Sequence, residues 1–318
     1  MTNPLNLTGA AGASELDLLP SAPAPVGIAD GGDVAATAPM WRLALGSFLE
    51  NRLAIIGVGI VLLFLAFCYL GPLVYGSNQQ NTDIGNTFLP PGPGHPLGTD
   101  SYGFDVLGRL MKGGRASLEI AFLTALIATV IGTLWGAIAG LAGGIIDALM
   151  MRVVDVLLAV PFLFIVLIIA TRFNASVLSL SLVLGLFSWL VPARLVRGEV
   201  LTLRVRDFVS AARVMGGSRW QLITRHLLPN ALGTVIVNVT FQVADAILAV
   251  AALGFLGFGL SYPRVSWGDM LSDGINYLLS GYWWLIYPVG ACLVLVVMAC
   301  NFIGDALRDA VDVRLRQR

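Results

Sequence analysis

The chain has 318 residues, of which 57% are hydrophobic and only 12% are charged, and its formal net charge is zero. A soluble globular domain carries roughly 25% charged residues, so this composition excludes an ordinary water-solvated surface, and the balanced charge implies no bulk electrostatic partner. The charged residues also leave long gaps, and about 20 consecutive apolar residues are enough to cross the roughly 30 Å of bilayer hydrocarbon. We therefore predict an all-α integral membrane protein.

Six apolar segments of suitable length follow one another along the chain. The predicted transmembrane helices cover residues 53–74, 116–141, 153–171, 176–191, 232–257 and 284–303. In the second, Gly132, Gly136 and Gly140 recur at four-residue intervals on nearly one face, where a neighbouring helix can approach closely. In the third, Pro161 predicts a kink, because proline lacks the N–H that the helix ladder needs.

The basic residues predict the orientation of the chain. With the N-terminus inside, 14 of the 19 basic residues face the cytoplasm and 5 face outward, in agreement with the positive-inside rule. Both termini are thus predicted to be cytoplasmic, in the inner membrane of a bacterium. The cluster from Arg109 to Arg115 falls on the outer side, and we expect it on a surface helix that leads into the second span.

Four segments divide the chain. Residues 1–40 are rich in Ala, Gly, Pro and Asp and lack the basic and apolar regions of a signal peptide, which predicts a disordered cytoplasmic tail. Residues 41–110 hold the first span and an outer loop, and residues 111–305 form a five-span core. Residues 306–318 form a cytoplasmic tail.

A loop of residues 193–230 joins the fourth and fifth spans and carries seven arginines. Asp207 can cap a first helix over residues 208–215, and Gly216 with Gly217 ends this helix. We expect an apolar face on it to enter a groove of a partner. That face consists of Ala211, Ala212 and Met215.

A second helix follows at once in the same loop. Ser218 and, three residues later, Gln221 have the capping-box pattern of a helix start. We expect this helix to end near Leu228 and Pro229. Two short helices at a glycine turn predict a compact knob rather than a slack linker.

The knob also carries a motif. Residues 208–220 read Phe-Val-Ser-Ala-Ala-Arg-Val-Met-Gly-Gly-Ser-Arg-Trp, and Ile223 and a Leu-Pro pair at 228–229 follow. This stretch resembles the coupling loop of ABC importer permeases, whose pattern is Glu-Ala-Ala, Gly three residues later, then Ile and Leu-Pro. Ser210 replaces the Glu here, and Gly216 falls one residue later than the strict count.

Three further stretches resemble the peptide and nickel branch of the same family. They are His-Pro-Leu-Gly-Thr-Asp at 95–100, Leu-Gly-Phe-Leu-Gly-Phe-Gly at 253–259 with Ser-Trp-Gly-Asp-Met-Leu at 266–271, and Asn-Phe-Ile-Gly-Asp-Ala-Leu-Arg-Asp-Ala at 301–310. Their order and spacing are similar to those of the C-type permease of dipeptide, oligopeptide and nickel importers. Two positions depart from the pattern, since Phe104 stands where the family usually has Arg and Val250 where it often has an acidic residue.

The resemblance implies a fold, a function and a set of partners. The fold would be a type I ABC importer permease with six transmembrane helices, and the function would be import of dipeptides or short oligopeptides by alternating access. The partners would be a homologous B-type permease, one or two ABC ATPase subunits and an extracytoplasmic binding protein. ATP and Mg²⁺ would bind to the ATPases, so this chain would hold no cofactor. The residues to which the resemblance assigns ATPase coupling are Ser210, Ala211, Ala212, Arg213, Gly216, Gly217 and Pro229.

The residues of the chain offer no catalytic or metal-binding set. Lys112, the single lysine, is not part of a phosphate-binding Gly-Lys-Ser/Thr motif, so energy must come from a partner. His95 and His226 lie on opposite predicted sides of the membrane and belong to no ligand cluster. Asp245 lies inside the fifth span, where a carboxylate is a functional candidate by default. Both a role in the transport pathway and a structural role, with a hydrogen bond to a neighbouring helix, are open for it.

Other classes of protein remain as alternatives. One is a stand-alone secondary transporter or channel, which usually shows an intramembrane charge network or an inverted repeat. This chain offers Asp245 alone and no convincing repeat. Another is an importer of the same family with nickel or haem as its substrate. An intramembrane enzyme would need paired catalytic residues, which the sequence lacks.

Overall fold

The computed structural model describes residues 45–46, 48–77, 79, 81–172 and 175–316. The predicted disordered tail, residues 1–40, lies outside the described residues. Within the described ranges the regular structure is helical, with two isolated β-bridges in loops. The predicted all-α class is confirmed.

The α-helices follow one another with short connections. Their bounds are α1 Arg52–Tyr69, α2 Gly71–Val74, α3 Val106–Ala142, α4 Gly144–Ala159, α5 Phe162–Ala170, α6 Val177–Ser188, α7 Leu190–Leu203, α8 Asp207–Val214, α9 Arg219–Leu222, α10 Leu228–Phe255, α11 Trp267–Ile275 and α12 Tyr287–Arg316. Short 3-10 turns cover Ile84–Asn86, Leu278–Ser280 and Trp283–Leu285. A π-helical turn covers Ile223–Leu227.

The helices provide between four and six candidate membrane spans within the described residues. The four that are long and apolar enough by themselves are Arg52–Val74, Val106–Ala142, Trp220–Phe255 and Trp283–Val311. The pair α4 with α5 and the pair α6 with α7 also qualify when each bent pair is counted as one span. These two pairs correspond to the third and fourth predicted spans, so the count of six is consistent with the structure.

Both bent pairs break where the backbone ladder is interrupted. The axes of α4 and α5 differ by 79° across Val160 and Pro161. This break is much sharper than the expected kink, because Val160 has an extended, non-helical backbone and Pro161 has no N–H to donate. The axes of α6 and α7 differ by 43° at Trp189. The prediction that the fourth span ends near residue 191 is therefore wrong, since the helix continues after this bend to Leu203.

The glycine face of α3 is packed closely against α7, as its spacing predicted. A methyl group on Gly132 would lie 2.6 Å from the Pro192 side chain, and one on Gly140 would lie 2.8 Å from the Val200 side chain. At Gly136, a methyl group would collide with the backbone of α7. Any side chain at these three positions would force the two helices apart.

The start of α3 differs from the predicted start of the second span. Asp105 caps this 37-residue helix, because its carboxylate accepts a hydrogen bond from the N–H of Gly108 at 2.8 Å. Helical structure therefore begins at Val106, whereas the sequence predicted a start near residue 116. The basic cluster at 109–115 becomes part of the same helix and not a separate surface helix.

A cap lies at the end of the bundle where α3 begins. It consists of the described residues of 75–105 together with residues 258–286. The ring of Phe88 stacks on Tyr282 with 4.6 Å between the ring centres, and Trp284 Nε1 donates to a backbone carbonyl of the first segment at 3.2 Å. These contacts join the two segments of the cap.

Arg109 is buried in this cap, although the sequence predicted a surface position. Its Nε lies 2.9 Å from the Asp100 carboxylate, and its guanidinium carbon lies 4.2 Å from the centre of the Phe104 ring. A buried arginine is normally paired in this way. The ion pair and the ring contact fasten the first turn of α3 to the cap.

The start of α11 is anchored in the bundle by Trp267, whose side chain is fully buried. Its Nε1 donates to the carbonyl of Leu110 at 3.0 Å, and its backbone N–H donates to Ser117 Oγ at 3.0 Å. Ser266 and Asp269 form a capping box that starts α11 at this position. The cap is thereby tied to the first part of α3.

Candidate functional site

Residues 204–227 form the predicted knob between α7 and α10. Its first helix, α8, ends at a turn in which Gly216 has a φ of +82°, a left-handed conformation that glycine adopts without strain. The N–H of Gly217 donates to the carbonyl of Ala212 at 3.0 Å and closes the turn. The predicted stop of the first helix at these glycines is confirmed.

The second helix of the knob begins as predicted and ends differently. Ser218 Oγ accepts a hydrogen bond from the N–H of Gln221 at 3.2 Å. The expected end near Leu228 and Pro229 is wrong, because α9 passes through the π turn directly into α10. Pro229 cannot donate to the carbonyl four residues earlier, and the wider ladder of the π turn, where Leu228 N–H donates to the Ile223 carbonyl, accommodates it.

A small apolar core holds the knob against the bundle. Val209 and Leu227 are fully buried, and Ala212 is nearly so. The predicted outward face is therefore wrong for Ala212, whereas Met215 is 80% exposed. The core is shared with α3, α7 and α10. Its buried members are Ala137, Val196, Val200, Leu203, Val209, Ala212, Leu222, Ile223, Leu227 and Ala231.

The outside of the knob carries large apolar side chains. Val214 is 88% exposed, Val205 73% and Trp220 61%. Exposed apolar residues are ordinary when scattered singly, but several on one small unit indicate an interaction surface. Ser210 and Ala211 are exposed on the same unit. The side chain of Arg213, which the sequence also singled out, lies outside the described part of the chain.

Three arginines of the predicted loop turn back onto the bundle. Arg197 forms two hydrogen bonds to the Asp147 carboxylate, at 2.5 and 2.7 Å. Arg204 donates to the carbonyl of Gly140 at 2.9 Å, near the end of α3, where the helix dipole favours a cation. Arg194 pairs with an aspartate of α4. These three side chains fix α7 in place, so the arginine-rich loop is only partly a surface for a partner.

A cavity of about 340 Å³ lies where both helix bends meet α10. Pro161 and Phe162 line it beside the first bend, Ser188 and Leu190 line it beside the second, and α10 supplies the third wall. Irregular backbone at membrane depth is tolerated where it faces a cavity or protein. Both bends thus lie where irregular backbone is tolerated.

Asp245 lies in the α10 wall of this cavity, together with Asn238 and Gln242. The three residues share one helix face, because they are four and three positions apart. Asp245 is ten residues before the end of α10, a distance of about 15 Å along the axis. A charged residue at the centre of a membrane helix costs about 2.5–3.5 kcal/mol on insertion scales. Within the described chain no ion pair is formed by Asp245.

The sequence singled out Asp245 and missed its surroundings. Asn238 and Gln242 are polar positions in an apolar span, and a projection of the helix would have grouped them with Asp245. The bend at Trp189 also had a signal in the sequence, because Pro192 cannot donate to the carbonyl of Ser188 four residues earlier, and the prediction missed it.

The two histidines lie apart from these sites and from each other. His95 Nδ1 lies 2.9 Å from the Asp105 carboxylate in the cap, whereas His226 belongs to the π turn of the knob. Among the described residues, no group of three or more His, Cys, Asp or Glu could hold a metal ion. The knob and the cavity are the two candidate sites, and α7 and α10 connect them.

Comparison with known proteins agrees with this architecture. Residues 132–317 match the family described as binding-protein-dependent transport system inner membrane component. Residues 39–91 match the N-terminal TM domain of oligopeptide transport permease C.

Curated relatives cover most of the chain. The oligopeptide transport system permease protein OppC of Escherichia coli K12 is 39% identical over 279 residues, which are 87% of this chain and 92% of that protein. The OppC protein of Bacillus subtilis is 34% identical, with 87% and 91% covered. The dipeptide transport system permease protein DppC of the same organism is 36% identical, with 84% of each chain covered.

The architecture of candidate membrane spans around a cavity, with a folded knob at one end, is consistent with a membrane transport subunit. The chain belongs to the family of inner-membrane components of binding-protein-dependent transport systems, the permeases of ABC importers, as its motifs predicted. It is a multi-pass membrane subunit and not an enzyme. Permeases of this family work with an ATPase and a binding protein.

Proposed function

We propose that this chain is the C-type permease subunit of a peptide importer, which carries dipeptides or short oligopeptides across the cytoplasmic membrane. The names of its relatives supply the substrate class, since they are oligopeptide and dipeptide permeases. The observation that carries the proposal is the direct connection between knob and cavity. α10 continues from the knob into the cavity wall, and α7 contributes side chains to both.

The outside of the knob is the surface that docks the ATPase. Ser210 and Ala211 lie on the exposed side of α8, and with Met215 they make the contact. Ala212 packs inward and holds α8 on the bundle, while Gly216 sets the turn that presents this surface. Gly217, Arg213 and Pro229 complete the coupling element, with Pro229 at the entry to α10.

Movement of the ATPases is transmitted to the cavity through this element. Because the knob shares its core with α7 and α10, it moves with them and not as a free loop. Leu190 of α7 and Asp245 of α10 stand on different walls of the cavity. Displacement of the knob therefore changes the distance between these walls, and the cavity opens in turn to the two sides of the membrane.

The complete transporter contains further chains. A homologous B-type permease pairs with this one to enclose the path, one or two ABC ATPase subunits dock on the knobs, and a binding protein delivers substrate at the cap. The distribution of 14 basic residues inside and 5 outside supports cytoplasmic termini and a cytoplasmic knob. ATP and Mg²⁺ bind to the ATPases.

Reconstitution of the full transporter tests this function. The chain, its second permease and the ATPases are purified together in mild detergent and placed in liposomes with the binding protein, and uptake of radiolabelled tri-alanine is measured. We expect uptake that requires ATP, the binding protein and this chain. The matched control is the same complex with the phosphate-binding lysine of its ATPase replaced.

Two results would contradict the proposal. One is purification of this chain without any ATPase under conditions that keep the second permease bound. The other is tri-alanine uptake by liposomes that contain this chain alone and no ATP, which would favour a stand-alone secondary transporter.

A further inference from the structure

We infer that Asp245, Asn238 and Gln242 form a polar subsite in the cavity wall that binds an ammonium group of the transported substrate. The inference rests on the proposed function, since it gives a substrate contact to a residue of the transport path. It assigns to this chain a share of substrate selection, which would otherwise lie with the binding protein alone.

The first support is the placement of the three side chains. They occupy one face of α10, and all three line the same cavity of about 340 Å³, within the range of roughly 300–1,000 Å³ that is usual for small-molecule sites. The rest of the lining is mainly apolar. Such a pocket has the usual composition of a ligand site, in which a few polar groups orient a ligand among hydrophobic contacts.

The second support is the hydrogen-bonding state of these groups. Asn238 Oδ1 is buried and accepts no hydrogen bond within the described chain. Gln242 Nε2 already donates to the carbonyl of Ser188 at 3.3 Å, which holds the side chain against the second bend. Asp245 has no cation partner among the described residues. The site therefore offers an exposed carboxylate without a cation partner, beside an amide whose buried oxygen has no donor.

The third support is chemical complementarity. An ammonium group has three N–H donors and no acceptor, and it matches a carboxylate and an amide oxygen on one helix face. A substrate carboxylate would instead be repelled by Asp245. Asp245 is exposed at the surface of this cavity, so a cationic group that enters the cavity can reach its carboxylate. Every unmodified peptide carries an N-terminal ammonium group, and lysine side chains carry a second one.

The competing explanation is that an arginine or lysine of the second permease pairs with Asp245 in the assembled transporter. Asp245 would then be structural, and its replacement would weaken assembly or reduce uptake of every substrate alike. The inferred subsite predicts a loss that depends on the presence of an ammonium group.

The test compares the wild-type transporter with Asp245→Asn, which removes the charge and keeps the shape. Asp245→Glu keeps the carboxylate. Asp309→Asn makes the same chemical change at an exposed position near the C-terminal end of α12, outside the cavity. Uptake is measured in proteoliposomes with tri-alanine, N-acetyl-tri-alanine and N-acetyl-Ala-Lys-Ala. Because the binding protein selects peptides first, retention of each peptide by the solubilised complex without the binding protein is measured as well.

We expect Asp245→Asn to lower uptake and retention of tri-alanine at least tenfold and those of N-acetyl-tri-alanine less than twofold. An equal loss for N-acetyl-Ala-Lys-Ala would show that the site also accepts a side-chain ammonium, and no loss would restrict it to the peptide N-terminus. Asp245→Glu should retain discrimination, and Asp309→Asn should match the wild type.

Two failures are distinguishable. If Asp245→Asn lowers all three peptides equally, or loses the second permease on purification, the subsite is overturned and the proposed function stands. If the wild-type transporter shows no ATP-dependent peptide uptake at all, the proposed function itself fails.

Discussion

The cap and the knob stand at opposite ends of the bundle and are stabilised by different means. The cap is held by a fully buried tryptophan, by the Arg109–Asp100 ion pair and by aromatic stacking. The knob is held by a core of aliphatic side chains. Both ends also expose large apolar residues, such as Ile84 and Leu279 in the cap and Val214 and Met215 in the knob. We propose that the cap is stabilised within this chain and that the exposed residues of the knob dock the ATPase.

Loss of the buried Trp267 side chain should have the largest effect on stability. Trp267→Ala removes a side chain that is fully buried and hydrogen-bonded to Leu110. We expect destabilisation of about 3–5 kcal/mol, measured as a drop in the Tm of the detergent-solubilised transporter. Trp220→Ala, the same change at an exposed site in the knob, should alter stability by less than about 0.5 kcal/mol.

Trp267→Phe is a milder change at this site. It keeps one aromatic ring but loses the Nε1 donor and part of the buried indole volume, so we expect a loss above the roughly 0.5–1.5 kcal/mol of the hydrogen bond alone and below that of Trp267→Ala. Equal Tm values for Trp267→Ala and Trp220→Ala would contradict the view that the cap carries its own stability.

The cap also shows what sequence reasoning could not reach. The motif around Trp267 was recognised, but its docking on Leu110 joins residues 157 positions apart, and no local pattern records such a contact. Arg109 was placed on a surface helix because the second span was predicted to begin only near residue 116, which left the 109–115 cluster outside it. Its burial depends on Asp100 and Phe104, which approach it only when the cap folds.

Replacement of the turn glycine in the knob should have an intermediate effect. A methyl group at Gly216 meets no atom within 4 Å, but the φ of +82° is strained for any L side chain, at a cost of about 1–2 kcal/mol. Gly216→Ala should therefore lower ATP-dependent uptake, because the turn that presents the docking surface relaxes.

The matched control is Gly198→Ala in the exposed part of α7. This position also has open space, and its φ lies outside the left-handed region, so alanine should stabilise the helix by about 0.5–1 kcal/mol. We expect Gly216→Ala to lower the Tm and Gly198→Ala to raise it. If both variants raise the Tm and leave uptake unchanged, Gly216 has no role in coupling.

The knob was predicted better than the cap because its signals are local. The glycine stop and the Ser218 cap are defined by residues within one turn of the chain, and both are present in the structure. The inward position of Ala212 was missed because it depends on contact with α7 and α10. The glycine face of α3 lies between these cases, since its spacing predicted a close helix and the fold identified that helix as α7.

Acidification should stabilise the folded cap, and this effect on stability should be smaller than those of the substitutions above. Burial raises the pKa of Asp273 and of Asp269; Arg109 opposes the shift at Asp273, and hydrogen bonds from Ser266 oppose it at Asp269. Burial likewise raises the pKa of Asp100 against the pull of Arg109. A carboxyl with a raised pKa binds protons more tightly in the folded state, so stability falls as pH rises through the window above about pH 4.

This pH dependence is measured as the Tm of the purified transporter between pH 4.5 and 7.5, a range of about three units chosen to cover that window. We expect a higher Tm at the acidic end from the cap groups and a flatter profile in Asp273→Asn, which removes one of them. A profile that is identical in wild type and Asp273→Asn would contradict a contribution of this residue.

A surface change on the knob should have the smallest effect on stability and still weaken docking. Met215 is 80% exposed, so Met215→Ser should change the free energy of unfolding by less than about 0.5 kcal/mol. If the ATPase docks on the knob, the same change removes an apolar contact from the docking surface. Hot-spot residues of interfaces each contribute about 2 kcal/mol or more. We therefore expect at least a tenfold loss of ATPase retention on the purified permease pair.

The control is Leu279→Ser, the same kind of change at a fully exposed residue of the cap, which should leave ATPase retention unaltered. Equal retention in both variants would mean that the exposed side chain of Met215 contributes no more to ATPase docking than that of Leu279, and the proposed functional difference between knob and cap would fail at this residue.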